Sequence, residues 1–265
     1  KNNKIFNLEK NCKNYVYGNL LDKKKLLNFY KKTRPHIIIH MASQSIVLDG
    51  YVNPLDTFLT NNIGLCNLLL LDKKNISFKK MPIFVLTSDK CYENTESKIF
   101  FKENDSLSGD DPYSASKACQ EIICNSFRKS FGLNISTARA GNVIGGGDFS
   151  ANRIVPDCIR AFQKNQEVVL RNPLSTRPWQ HVLEPLSGYL TLANKLIEEP
   201  HGSGAWNFGP DPENVKTVQE LTTLAISILG SGFIKINQDE SQPHEANLLM
   251  LNSDKAKTKL GWRPK

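Results

Sequence analysis

PYSASKACQEIICNSFRKSFGLNISTARA, residues 112–140, decides the fold class of this chain. Pro112 suits the first turn of a helix, where a missing backbone N–H loses nothing. Gly132 suits the position just past a helix end, where the backbone turns left-handed. Together they predict a helix over Pro112 to Phe131, followed by a strand over Asn134 to Ala140. Working back toward the N-terminus, Pro82 to Leu86 reads as a strand. Pro54 to Lys74 reads as one long helix with Asn61-Asn62 inside it. Ile37-Ile38-Ile39 is a buried strand, and Lys23 to Lys32 a helix before it. Strand–helix–strand alternation at this spacing predicts an α/β fold on a doubly wound parallel sheet. After about residue 145, glycines, prolines and short helices take over, as in a smaller α+β domain. No internal repeat interrupts the pattern.

Composition supports a globular reading. The 265 residues have room for one large domain or two modest ones. With 40% hydrophobic and 23% charged residues, the chain is neither a disordered tail, a collagen nor a coiled coil. The longest apolar stretch, Ile63 to Leu71, is interrupted by Gly64 and Asn67 and is too short to span a bilayer. Lys1 to Lys10 is mostly polar and carries no export signal. Six cysteines without a Cys-x-x-Cys pair predict reduced thiols and a cytoplasmic protein. The net charge of +8 comes from scattered lysines with no regularly interleaved aromatic residues. That predicts a solvated surface, with neither nucleic acid nor membrane as a partner.

The chemistry starts at Tyr113 and Lys117. Residues four apart share a helix face, and an ammonium beside a phenol favours the phenolate. Such a tyrosine can take a proton from a sugar hydroxyl. Upstream, Thr87-Ser88-Asp89-Lys90 follows a strand, and parallel sheets gather their sites at carboxyl ends of strands. A dinucleotide fold also opens with a strand, a glycine-rich turn and a helix. No glycine precedes Gly18 here, and Gly145-Gly146-Gly147 with Asp148 fits that fingerprint in neither spacing nor place. The first strand–turn–helix is therefore expected to be missing, and Leu260 to Lys265 reads as mid-domain. The chain is expected to be truncated at both ends and to bind NAD poorly as given.

Several segments resemble one family: His40-Met-Ala-Ser-Gln44, Thr87-Ser-Asp-Lys-Cys-Tyr92, Asp111-Pro-Tyr-Ser-Ala-Ser-Lys117, Ala138 to Asp148, Val155 to Arg160, Arg171-Asn-Pro173, Arg177 to Gly188 and Pro243-His-Glu-Ala246. The chain resembles the nucleotide-sugar 4,6-dehydratase branch of the extended short-chain dehydrogenases/reductases, and within it the CDP-glucose type. The resemblance runs from about residue 15 to the end. It implies a Rossmann-like sheet with NAD as cofactor. Residues 1–145 would form the dinucleotide-binding domain. Residues 146–265 would mainly bind substrate, with 181–210 returning to the sheet.

The reaction implied is an internal redox loop. NAD oxidises C4 of CDP-glucose, water leaves across C5 and C6, and hydride returns to C6, giving a 4-keto-6-deoxy sugar. By the same resemblance Tyr113 is the base at the C4 hydroxyl, Lys117 tunes it and holds the nicotinamide ribose, and Ser88 hydrogen-bonds the hydroxyl. Asp89 is the acid at the C6 oxygen. Lys90 stands where the dTDP-glucose relatives keep a glutamate base for C5. It serves either as that base, with a lowered pKa, or as a fixed charge beside the enolate. Cofactor contacts fall on Asn19, Leu20, Met41, Ala42, Ser43, Gln44, Thr87, Ala140, Asn142 and Val143. Asn19 departs from the family's acid at the adenine. Substrate contacts fall on Asn142, Arg153, Arg171, Arg177, His244 and Glu245, the arginines because their fork matches phosphate oxygens. Trp179 and Phe149 are expected in the core, and no metal-ligand spacing occurs. The family also pairs subunits through two helices, matched here by Pro54 to Lys74 and Pro112 to Phe131, so a homo-oligomer is implied. Two other readings stay open: another nucleotide-sugar epimerase or dehydratase, and a truncated, non-catalytic nucleotide-sugar-binding protein.

Overall fold

A computed structural model describes residues 12–95, 100–199, 203–237 and 249–265. The elements in chain order begin with α1 (Lys23–Thr33), β1 (Ile38–His40), α2 (Val47–Val52), α3 (Pro54–Phe58) and a π turn (Leu59–Ile63). Next come α4 (Gly64–Leu69), α5 (Ile76–Lys80), β2 (Ile83–Leu86), a 3-10 turn (Asp89–Cys91) and β3 (Phe100–Phe101). The long helix is α6 (Pro112–Phe131), followed by β4 (Ile135–Ala140), β5 (Val143–Ile144), α7 (Ile154–Gln163), β6 (Glu167–Leu170), β7 (Thr176–Pro178) and β8 (Gln180–His181). The chain continues through α8 (Leu183–Glu198), β9 (Ala205–Phe208), β10 (Val215–Thr217), α9 (Val218–Leu229), β11 (Phe233–Ile236), β12 (Met250–Leu251) and α10 (Asp254–Leu260).

Four strands form one sheet in the order β1-β2-β4-β9. β1 and β2 run parallel with Ile38 opposite Ile83. With helices between consecutive strands, this is a Rossmann-like α/β fold. Strands β1, β2 and β4 fall where the sequence predicts them, β1 one residue later than expected. Helix α6 matches its predicted bounds. Asp111 caps it by accepting from Ser114 N at 3.0 Å, Pro112 occupies its first turn, and Gly132 ends it at φ 67°. Glycine takes up that left-handed turn without the steric cost a Cβ would bring.

The predicted helix over Pro54 to Lys74 is different. It is broken by the π turn and ends at Leu69. Tertiary bonds decide the break, because Asn61 and Asn62 are buried there and their side chains bond elsewhere in the fold. Helices interrupted in this way commonly sit at functional sites.

Chain contacts define two compact units. The first comprises the residues up to Leu86, Asp110–Thr137 and Ala193–Gly204. Its core joins Leu65, Leu69, Phe78, Met81, Ile83, Val85, Cys124, Leu133 and Ile135, all on helices and strands except Met81 and Leu133, which lie just before β2 and β4. Burial of each large apolar side chain contributes about 1.5–3 kcal/mol. The second unit comprises Thr87–Gly109, Ala138–Leu192 and Ala205–Lys265. One of its cores joins Cys158, Phe162, Val168 and Leu170, with α9 and β11 supplying Ala225, Ile226 and Ile234. Within this unit the short pairs are β6 with β11, β5 with β8 and β3 with β12, all parallel, and β7 with β10 antiparallel. Gly145 packs against Val182, where a Cβ would come within 2.5 Å of Cγ1. That glycine therefore serves close packing, in keeping with its misfit to a phosphate loop. Phe149, expected in the core, is 52% exposed. It follows the turn at Gly147, where φ is 83° and the backbone carries the side chain toward solvent.

Candidate active site

In the first unit the site is built on the start of α6. Tyr113 is the second residue of the helix and Lys117 stands one turn on. Both are buried, with the Lys117 ammonium 5.8 Å from the centre of the Tyr113 ring. The close approach of α2 helps to bury Tyr113. A Cβ on Gly50 would stand 3.3 Å from Tyr113 N. Lys117 Nζ donates to Gln120 Oε1 at 3.1 Å and to Leu86 O, the last carbonyl of β2, at 3.4 Å. Gln120 Nε2 in turn donates to Asn61 O at 2.8 Å.

Asn61 is the hub of this region. Its Oδ1 accepts from Ser43 Oγ at 2.9 Å and Gln44 N at 2.8 Å. Its Nδ2 donates to Gln44 O at 3.1 Å and Ser116 Oγ at 2.8 Å. Ser116 Oγ donates to Tyr113 O at 2.7 Å. The loop after β1 and helix α6 are thus tied through one side chain. His40, at the end of β1, is buried, and its Nε2 has no hydrogen-bond partner among the described residues. Burial, and then the Lys117 charge, lower its pKa to about 4. His40 is neutral at physiological pH.

The other expected cofactor contacts of this unit lie close by in the chain. Met41 is 57% exposed, an apolar side chain left open at a strand end. Asn19 is exposed, and its Oδ1 accepts from Leu21 N at 2.9 Å. Leu20 is held on α4, where its carbonyl accepts from Asn67 Nδ2 at 3.0 Å and Gly64 leaves room for its side chain.

In the second unit the site is the turn after β2. Ser88 caps it, accepting from Lys90 N at 3.2 Å and donating to Asp89 Oδ1 at 3.0 Å. Asp89 is buried against Gly141, where a Cβ would lie 3.0 Å from Oδ2. Burial raises its pKa above the usual carboxylate range, although Lys90, Ser88 and Arg177 all pull the other way. Tyr189 on α8 also faces Asp89, and burial and that charge raise its phenol. Thr87 is fixed to β4, with its N and Oγ1 donating to Ala138 O at 2.9 Å and 3.2 Å.

Arg177 is buried. Its Nη1 donates to Thr176 O at 2.8 Å, and its charge acts on Asp89. Arg153 precedes α7 with Nε 3.8 Å from Asp148 Oδ2. Arg171 follows β6 and is half-buried. The Asn142 carbonyl accepts from Gln180 N at 3.1 Å, and Val143 pairs with Gln180 in the β5–β8 ladder. Ala140 closes β4. His244 and Glu245 lie outside the described residues.

Sequence reasoning missed Asn61, Ser116, Gln120 and Tyr189. It also missed a buried network in which Arg139 Nη1 donates to Tyr92 Oη at 2.6 Å and Tyr92 Oη donates to Asn207 Oδ1 at 2.8 Å. Gln120 and Ser116 carried one signal, a position within one turn of Lys117 on the same helix. Among the described residues there is no cluster able to hold a metal ion.

The family model for GDP-mannose 4,6-dehydratase matches residues 1–265. The chain is 42% identical over 258 residues to the CDP-glucose 4,6-dehydratase of Salmonella typhimurium, covering 94% of this chain and 71% of that protein. It is 27% identical to a dTDP-D-glucose 4,6-dehydratase of Dictyostelium discoideum, covering 80% of this chain and 50% of the relative's length. Its fold superposes with a TM-score of 0.82 on the dTDP-glucose 4,6-dehydratase of Streptomyces venezuelae, solved with NAD and TYD bound. That pair shares 20% identity over 94% of this chain and 74% of the other.

Proposed function

The chain belongs to the GDP-mannose 4,6-dehydratase family, and on that premise we propose that it is a nucleotide-sugar 4,6-dehydratase acting on CDP-glucose with NAD as its resident cofactor. The product is CDP-4-keto-6-deoxyglucose, an intermediate for deoxysugars of surface polysaccharides such as lipopolysaccharide. Residues 1–145 hold the cofactor and residues 146–265 mainly the sugar nucleotide.

The residues present fit a dinucleotide. The buried, unpartnered Nε2 of His40 and the open side chain of Met41 leave a polar atom and an apolar surface at the end of β1. Ser43 and Gln44 are fixed beside them by Asn61. Met41, Ala42, Ser43 and Gln44 would hold the adenosine half together with Asn19 and Leu20. Lys117, Thr87, Ala140, Asn142 and Val143 would hold the nicotinamide half. Bound there, NAD supplies reversible acceptance of hydride from the sugar.

Tyr113 Oη takes the proton of the C4 hydroxyl, helped by the Lys117 charge. Ser88 Oγ orients that hydroxyl. The ketone acidifies the C5 proton, and Lys90 either removes it or stabilises the enolate left behind. Asp89 donates a proton to the departing C6 oxygen, a task that suits a carboxyl raised by burial. Asn142, Arg153, Arg171, Arg177, His244 and Glu245 bind the nucleoside diphosphate and the sugar. Arg177 also lies near enough to Asp89 to temper its pKa.

The observation carrying a dehydratase over an epimerase is Asp89, a buried acid directly after Ser88. An epimerase needs no proton donor at C6. The test is Asp89→Asn with CDP-glucose in rapid mixing. Reduced nicotinamide should accumulate and persist while product formation falls by about 10²–10⁴. Dehydration at the unaltered rate overturns the assignment, and a 4-epimer as product points to the epimerase. No reaction with CDP-glucose, dTDP-glucose or GDP-mannose points to a binding protein. The subunit is further proposed to pair with a second copy through α3, α4 and α6, where Leu55, Ile63 and Ile122 are exposed. Six free thiols among the described residues support a reducing, cytoplasmic setting.

A further inference from the structure

We propose that Gln120 is a positioning residue for Lys117, whose ammonium it fixes in place beside Tyr113 through a neutral carboxamide that adds no counter-charge of its own. The inference rests on the reading of Tyr113 as base and Lys117 as its partner. It adds a residue that none of the motif matches includes.

The donor and acceptor inventory leaves the amide one orientation. A lysine ammonium only donates and a backbone carbonyl only accepts. Gln120 lies between one of each, Lys117 Nζ at 3.1 Å and Asn61 O at 2.8 Å. Its oxygen must face the lysine and its nitrogen the carbonyl. The residue is 0% exposed, so water cannot replace either bond. Asn61 cannot drift, because four further side-chain bonds hold it to Ser43, Gln44 and Ser116. Lys117 is therefore anchored at one remove on the π turn and directly on Leu86 O.

Other side chains would fail here in different ways. A glutamate would accept from Lys117 but set a carboxylate against the Asn61 carbonyl, and it would neutralise the ammonium. An apolar residue would leave a buried ammonium and a buried carbonyl each short of a partner, an expensive state. Only an amide both holds the cation and leaves its field intact. His40 faces Lys117 from β1 and stays neutral. Asp111 caps the helix and, with Asp110, faces Tyr51 of α2. Glu121 accepts from Thr137 Oγ1 at 2.7 Å.

The test reads Tyr113 directly and needs no turnover. Tyrosinate absorbance of the full chain is titrated against pH, and the curve of Tyr113→Phe is subtracted to isolate Tyr113. In Gln120→Glu the Tyr113 midpoint should rise by about one pH unit, roughly tenfold in proton affinity, as expected when a neighbouring cation is neutralised. Gln120→Met keeps the volume but loses the acceptor, and its midpoint should rise by less. Thermal unfolding identifies a variant that does not fold; if Glu is that variant, Met decides. Midpoints that coincide with the unaltered chain, or fall below it, overturn the proposal. The functional reading fails separately. If the unaltered chain forms no reduced nicotinamide from any nucleotide sugar while these shifts appear, the role of Gln120 stands and the dehydratase assignment falls.

Discussion

His40 and Asp89 are both buried ionisable side chains, and burial drives each toward its neutral form. For Asp89 that shifts the balance toward the protonated acid, the form a donor needs. For His40 it keeps a proton off a base that neighbours a lysine. The His40 pKa falls from 6.5 to about 4, so the unfolded chain takes up this proton more readily than the folded one. The stability that neutral His40 contributes is complete above pH 6.5 and is lost as pH falls through about 4. The gap corresponds to about 3 kcal/mol. Urea unfolding of the unaltered chain at stepped pH should show this loss, and His40→Gln should flatten it. Parallel acid profiles for the two would show that His40 does not titrate with folding.

At the scale of elements, α6 carries the two residues of the first unit proposed as catalytic and depends on its first turn. Asp111 accepts from Ser114 N, one of the amides that a helix start leaves without an internal partner. Asp111→Ala should lower stability by about 1 kcal/mol. It should also lower the rate of C4 oxidation, because the freed turn is the one that holds Tyr113. A loss of stability with an unchanged rate of nicotinamide reduction would show that Tyr113 is held by its packing on α2 alone. This helix was fully legible, since both ends are written in local chemistry, Asp-Pro at the start and Gly132 at the finish. The Pro54 to Lys74 stretch was not. Its break depends on Asn61 bonding to residues 17 and 55 positions away, and no local pattern reports that. The site divides in the same way. Tyr113 and Lys117 stand out by their spacing on one helix face only with the help of the strand end upstream and the family resemblance. Gln120 looks like an ordinary surface residue until its two partners are known, and the burial of Arg177 beside Asp89 depends on the fold of its unit.

At the scale of the whole molecule, the proposed pairing of subunits accounts for exposed apolar residues of the first unit. Leu55 is 70% exposed and Ile122 57%, on helices α3 and α6 that pack together through their other faces. Pairing with a second copy would remove this surface from water. Leu55→Asp combined with Ile122→Asp should shift the chain from dimer to monomer in sedimentation, with the far-ultraviolet spectrum unchanged. A doubly substituted chain that still sediments as a dimer would place the interface elsewhere.

The buried thiols lend themselves to a different use. Cys124 is wholly enclosed in the core of the first unit and Cys158 in a core of the second, and burial raises both thiols above their ordinary pKa. A folded unit thus shields its own cysteine twice, by enclosure and by keeping it protonated. Cys12, which is exposed, has no such enclosure. An alkylating reagent offered to the native protein would mark Cys12 first, the partly exposed Cys66 and Cys119 more slowly, and Cys124 and Cys158 only as often as each core breathes open. The sequence thereby contains internal clocks in both units, and mass spectrometry of the labelled peptides would read the opening rate of each unit without any added probe.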